Sequence, residues 1–540
     1  MKKNCHVETR ERVYNLVGKI LYMPPKDKTI VRLFDDISDL ICQVADKAEF
    51  LRNVYPNEQY RNHCSAIVSN MLTVVEELNT NFALYEKLKK LLDSNVLDET
   101  DSLVAKSFIR DFESSGINLS GDFKKLYINY QKKIESSGNE LCNMSQICIK
   151  PHRLIHKRKK YPIKMVEDNL YSKNPNIREK AYNMLYHVDM NNYHTENLKK
   201  LLKYRSKLAN VTNYTNYFNR TLEHSILKTR ESVHQFLSTI NENLKPNLKK
   251  LFENMSHNCN IDKIKVSDIM YINYKLSNKY MNHKSNKSFQ NCINSLHDLY
   301  NKLFGISFNL IKDSENYPDI YYLQINDANS YLGTIYLDLF SRPGKIYQDC
   351  HFTIRGGRKI NEYLYQSPIV ALCLNVNPNH ANPLNVDFDF LQQKNLFHEF
   401  GHAIHSILGR TKYQQVTGTR CSTDFAEIPS TFMENYVEYP QNNQPSVDEK
   451  NFKLFIWPIR FPHIYQYGSK YFSYILAKSI ACIIKQSTSM DINSREFGQH
   501  FRDKFLIYGG ERDPVILIED LINKPLTVEM LSDALLQDFV

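Results

Sequence analysis

Apolar residues recur at intervals of three and four through the first three hundred positions, the spacing of one face of an α-helix. Ile67, Met71, Val75 and Leu78 share such a face, and Leu84, Leu88 and Leu91 form the next stripe. Comparable spacing, with few glycines, runs through 175–209, 229–255 and 287–304. These stripes read as core, and nothing in them asks for a catalytic role. No internal period stands out, so the helices do not read as a repeat array. Near residue 320 the texture changes. Ile320–Ile325, Ser330–Phe340, Asp349–Gly357 and Ile369–Val376 are rich in β-branched and aromatic residues, with turn residues between them. That pattern predicts a sheet of about three to five strands within 316–380. A helix is predicted near 392–409, with Pro383 and Asn385 in the loop before it. The fold class expected is mainly α, multi-helical, with one small β-sheet beside that helix. Residues 1–315 are expected to form an N-terminal helical lobe and 316–540 a second domain.

Composition changes this picture little. A chain of 540 residues is too long for one core, and two large lobes are expected. Its 42% apolar and 24% charged residues suit a folded globular protein. The longest apolar-rich run, Tyr474 to Ile484, is broken by Lys478 and too short to span a bilayer, so no membrane insertion is expected. The opening Met1–Glu8 lacks the apolar core of a secretory signal, and Glu8 and Glu11 interrupt the basic residues of any mitochondrial presequence. Eleven cysteines, scattered singly and without a Cys-x-x-Cys pair, favour a reducing compartment. The net charge of +10 is spread out, and its densest cluster, His156–Lys160, reads as a solvated loop. With no recognisable nucleic-acid motif, no nucleic-acid partner is expected.

The chemistry concentrates in His398-Glu399-Phe400-Gly401-His402. Positions four apart share a helical face, so His398 and His402 can grip one metal ion. Glu399 then lies beside the metal rather than on it, where a general base for water belongs. Chance would place such a motif in about 3 chains per hundred of this composition, so the surroundings decide. A catalytic zinc wants a third protein ligand. Twenty-five residues past His402 stands Glu427, far enough for the motif helix to end near Gly409 and a second helix to return. Asp424, one turn earlier, could hold a ligand imidazole from behind. On spacing alone both read equally well as surface carboxylates at a helix start, where negative charge is favourable.

Wording and order resemble the thimet-oligopeptidase family of zinc metallopeptidases, whose third ligand is the Glu of Asp-Phe-x-Glu-x-Pro-Ser, here Glu427. The likeness covers most of the chain. It is strongest over 330–436, through Gln348–Arg358, Leu408-Gly409-Arg410-Thr411 and Gly418-Thr419-Arg420-Cys421, and extends to Val75–Asn81. The resemblance implies one Zn²⁺ per chain on His398, His402 and Glu427, with Glu399 as general base. It also implies that His463, Tyr467 and Tyr474, with Tyr471 a further candidate, donate hydrogen bonds to the developing oxyanion. Composition alone, with 35 Tyr, would assign that cluster to core packing. The implied fold is zincin-like, with two helical lobes around a deep channel that admits extended peptides. Within the family the wording is nearest the branch that removes N-terminal octapeptides from imported precursors in the mitochondrial matrix, acting as a monomer. Two departures stand out. Gln466 replaces a glycine, and Glu434 to His463 spans only 29 residues where relatives carry a longer helical stretch. A general oligopeptidase, or an impaired peptide-binding paralogue or truncated gene product, are the alternative expectations. An edge of the sheet flanking the metal helix could hold an extended peptide as an added strand.

Overall fold

The computed structural model describes residues 5–145, 163–186, 192–223, 225–280, 287–314, 317–328, 330–346, 348–376, 383–437 and 463–539. Its contacts divide the chain into two compact units, each discontinuous in sequence. The first joins 1–120, 286–438 and 473–527, so the expected boundary at 315/316 falls inside it; the second joins 121–285, 439–472 and 528–540.

The first unit opens with five helices: α1 (Cys5–Tyr22), α2 (Thr29–Val54), α3 (Glu58–Asn79), α4 (Phe82–Asp93) and α5 (Glu99–Ser114). The starts of α3, α4 and α5 follow from side-chain caps. Asn57 accepts from Tyr60 N–H, Asn81 from Ala83 and Leu84 N–H, and Asp98 from Asp101 N–H. Their buried stripes, including Ile30, Phe34, Ile67, Met71, Leu84 and Leu88, form one core. Tyr413 and Val416 belong to that same core, which ties the bundle to residues three hundred positions later. Ion pairs repeat the link: Arg358 reaches Asp35, Asp36 and Asp39 on α2 at 3.1, 2.6 and 3.2 Å.

The sheet has five strands, at the upper end of the expectation: β1 (Ser307–Ser314), β2 (Tyr317–Asn326), β3 (Tyr331–Phe340), β4 (Cys350–Arg355) and β5 (Ile369–Val376). Their order is β1-β2-β3-β5-β4, antiparallel except for the parallel β3/β5 pair. Strand β1 lies outside the predicted 316–380 range. The helix before it (Phe289–Phe304) ends at Gly305, whose φ of 69° lets the chain reverse directly into the strand. Strand β4 is an edge, and its Phe352 packs edge-on against Phe50 of α2.

The predicted motif helix spans Phe390–Leu408. Asp389 accepts from Gln392 N–H at 2.8 Å while Gln392 Oε1 accepts from Asp389 N–H at 2.9 Å, a reciprocal cap that fixes where it starts. At its other end, extended Gly409 donates its N–H to His405 C=O at 3.0 Å. A return helix (Thr423–Met433) packs against it, and a helix over Ser473–Ser487 packs against the return helix.

The second unit is helical. Its helices Gly121–Ser145 and Asn192–Val211 pack together, as do Arg230–Cys259 and Val528–Phe539. Arg178 and Asp268 form a buried ion pair at 2.6 Å. Among the described residues, no helix of either unit is long and apolar enough to cross a membrane.

Candidate metal centre and active site

The motif and return helices face each other through a ladder of polar side chains. Lys394, His398 and His402 recur every four residues on one helix. Glu427 and Glu434 are seven apart, two turns, on the return helix and the 3-10 turn (Glu434–Tyr436) that extends it. Glu427 Oε2 lies 3.4 Å from both His398 Nε2 and His402 Nε2, and the three ligand atoms all fall within 4.8 Å of one another. The two imidazoles stand nearly perpendicular, 5.0 Å between centroids. Two ring nitrogens and one carboxylate oxygen form the donor set that a borderline cation such as zinc takes, with room for a fourth ligand. The residues fit the ion.

The close approach of the helices depends on Gly401. A Cβ there would sit 2.6 Å from Ser430 Cα and 3.0 Å from the Pro429 carbonyl oxygen. The glycine between the two histidines is thus where the return helix touches the motif helix, and its absent side chain lets Glu427 reach them.

Charge follows the geometry. Burial acts to raise the Glu427 carboxyl, but His402 and His398 hold it well below the usual carboxylate range. Glu399 is buried one position after His398 and outside the three-ligand set; burial pushes its carboxyl up, opposed by His398 and His402. Two further imidazoles are kept neutral nearby. His351, on β4, has its ring 6.1 Å from that of His402, and burial pushes it down to about 3. His405, fully buried against Phe425, is likewise pushed down to about 3.

Sequence reasoning missed Glu434. Its Oε1 lies 2.7 Å from His398 Nδ1, and its Oε2 lies 3.1 Å from Lys394 Nζ. Asp424, expected behind a ligand imidazole, is buried and accepts from the backbone N–H of Phe425 at 3.1 Å in the first turn of its own helix. His402 Nδ1 has no hydrogen-bond partner among the described residues. Spacing could have flagged Glu434, since it repeats Glu427 after two turns. Asp349 also serves the motif helix: its Oδ2 accepts from Asn395 at 2.6 Å.

The remaining candidates are not part of this ladder. His463, Tyr467 and Tyr471 belong to the second unit, and Tyr474 to the first, at the start of the helix Ser473–Ser487. His463 and Tyr467 stack with centroids 5.1 Å apart, and Tyr471 meets His463 edge-on at 5.4 Å. Arg205 anchors this loop by donating to the carbonyls of Ile464 and Tyr465 at 2.7 and 2.9 Å. Gly468, with φ of 53°, makes the turn that follows. Of the shortened 435–462 stretch, residues 438–462 lie outside the described residues.

A mainly helical zincin-like fold with this His-His-Glu centre defines a metallopeptidase. The chain belongs to peptidase family M3, whose profile matches residues 169–456 and 441–536. It is 30% identical over 618 residues to a mouse protein named mitochondrial intermediate peptidase, covering 97% of this chain and 86% of that one. A protein of the same name from Arabidopsis thaliana is 27% identical, over 96% of this chain and 90% of its own length. Among solved structures, PZ peptidase A with an inhibitor shares the fold, with a TM-score of 0.54 at 13% identity over 97% of this chain and 95% of that one.

Proposed function

We propose that the chain is a zinc endopeptidase of the mitochondrial intermediate peptidase type, removing N-terminal octapeptides from imported precursors in the matrix, as a monomer. The convergence of His398, His402 and Glu427 beside a buried Glu399 carries this reading. Zinc held by those three side chains would supply Lewis acidity to water and to the scissile carbonyl. Glu399 takes a proton from the attacking water onto its carboxylate and passes it to the leaving amine nitrogen. Its burial favours this shuttle, because a carboxyl raised above its ordinary range gains and yields a proton nearer neutrality. Tyr467, Tyr474 and His463 donate to the oxyanion as the carbonyl becomes tetrahedral. An extended substrate pairs with the edge strand β4, whose His351 neighbours His402. The names of the curated relatives support the precursor substrate and the mitochondrial location.

The test is turnover of a quenched precursor-like peptide by zinc-loaded wild type and Glu399→Gln, with metal content measured for both. Zinc retained in the variant with a rate about 10²–10⁴-fold lower is the expected result. Full activity in Glu399→Gln would remove the base assignment. Unrelated short peptides cleaved as fast as a processed-precursor N-terminus would replace octapeptide removal with general peptide degradation.

A further inference from the structure

The ladder between the motif and return helices continues past the three candidate ligands, and its end has a role of its own. We propose that Lys394 and Glu434 act as a positioning pair that holds His398 as the tautomer protonated at Nδ1, with its Nε2 lone pair facing Glu427 and His402. This deepens the zinc reading and rests on it.

The chemistry of the contacts fixes the direction. A carboxylate only accepts, so the 2.7 Å contact between Glu434 Oε1 and His398 Nδ1 places a proton on that nitrogen. The other nitrogen, Nε2, is then a bare lone pair, and it is the one 3.4 Å from Glu427 Oε2. Glu434 could rotate about its own side-chain bonds and lose this aim. Lys394 prevents that by gripping the second oxygen at 3.1 Å. Lys394 and His398 are four residues apart on one helical face, so a single rigid helix presents both donors to the two oxygens of one carboxylate. The side chains of Lys394, Glu434 and His398 are 14%, 11% and 8% exposed, which shields these charge-assisted bonds from water. An ion pair that merely held the two helices together would need no imidazole between its partner and the ligand set.

The experiment measures zinc affinity by chelator competition, with metal-free wild type, Glu434→Ala, Glu434→Gln, Lys394→Met and the Lys394→Met/Glu434→Ala double variant. Thermal midpoints are recorded alongside. Glu434→Ala is expected to weaken zinc by about 10–100-fold. Glu434→Gln should recover part of that loss, because its amide oxygen still accepts from Nδ1–H. Lys394→Met should weaken zinc several-fold in wild type and not further in the Glu434→Ala background, the signature of a residue acting through its partner. The absorption spectrum of the cobalt-loaded protein should shift in Glu434→Ala and return toward wild type in Glu434→Gln. Zinc affinity within twofold of wild type in Glu434→Ala, or an equal cost of Lys394→Met in both backgrounds, overturns the proposal. If Glu434→Ala does not fold, Glu434→Leu, which removes the acceptor but keeps most of the side-chain volume, decides, and zinc affinity within twofold of wild type there overturns it. A wild type that binds no zinc at all instead sinks the metal reading and takes this one with it.

Discussion

The candidate metal centre and the 463–474 segment are built in different ways. His398, His402 and Glu427 sit on two helices that follow each other closely along the chain, and the packing of those two helices brings their ligand atoms within 4.8 Å of one another. His463, Tyr467 and Tyr471 lie in a loop whose backbone is held by Arg205, a side chain some 260 residues earlier. The first arrangement is encoded locally and repeated every helical turn. The second depends on long-range assembly, so a change far away in sequence can misdirect it while leaving the metal centre whole. If the proposed roles hold, catalysis by this chain should therefore fail in two separable ways: loss of metal, or loss of the proposed hydrogen bonds to the oxyanion with metal retained.

Gly401→Ala is the sharpest attack on the local half. The new Cβ would stand 2.6 Å from Ser430 Cα, so the return helix must move and carry Glu427 with it. Both atoms belong to packed helices, so neither can yield cheaply. Zinc stoichiometry and activity should collapse together, with a stability loss of about 1–3 kcal/mol. Normal zinc content in this variant would mean the two helices can separate without disturbing the ligands. Tyr467→Phe attacks the other half. It removes one candidate donor and should lower kcat by about 10²–10³-fold while zinc content stays at the wild-type level. An unchanged kcat would return Tyr467 to its plain role, stacking on His463.

Arg205→Ala probes the long-range half without touching a reacting group. Arg205 is buried, lies over the Tyr217 ring at 4.8 Å and donates to two loop carbonyls. Its loss should lower kcat by about 10–100-fold through misplacement of the loop, with zinc affinity unmoved. Zinc lost in this variant would show that the two halves are coupled, which breaks the comparison outright.

This division also explains what the sequence could tell. The motif helix, expected near 392–409, runs Phe390–Leu408, because its histidine spacing and Gly409 are local signals; the Asp389/Gln392 cap sets its start two residues earlier. Glu434 was not singled out, because its meaning lies in Lys394 and His398 on another helix. Strand β1 was missed because Ser307–Ser314 follows a helix with only Gly305 between Phe304 and Ile306 to mark the change. The grouping of α1–α5 with residues 286–438 was equally hidden. It rests on Tyr413 and Val416 entering the bundle core and on Arg358 reaching α2 across more than three hundred residues, and neither leaves a periodic trace.

That same long-range seam carries the smallest effect, a pH dependence of stability. Burial pushes Asp35 up to about 6 and Glu511 up to about 7, on either side of the 412–415 loop. Glu511 accepts from the backbone N–H of Lys412, and Asp35 from that of Gln415 at 3.0 Å. A carboxyl whose folded pKa exceeds its unfolded value near 4 binds its proton more tightly when folded. Its contribution is complete below about pH 4 and is lost as pH rises through about 6 to 7. Glu511→Gln keeps an acceptor for the Lys412 N–H but removes the titration. Its stability should therefore fall less than that of wild type between pH 5 and pH 8, by on the order of 1 kcal/mol after allowing for partial exposure. Thermal midpoints of the two proteins across that range measure it. Parallel curves would mean that the loop relaxes to hydrate Glu511, and that the seam is looser than the core it joins.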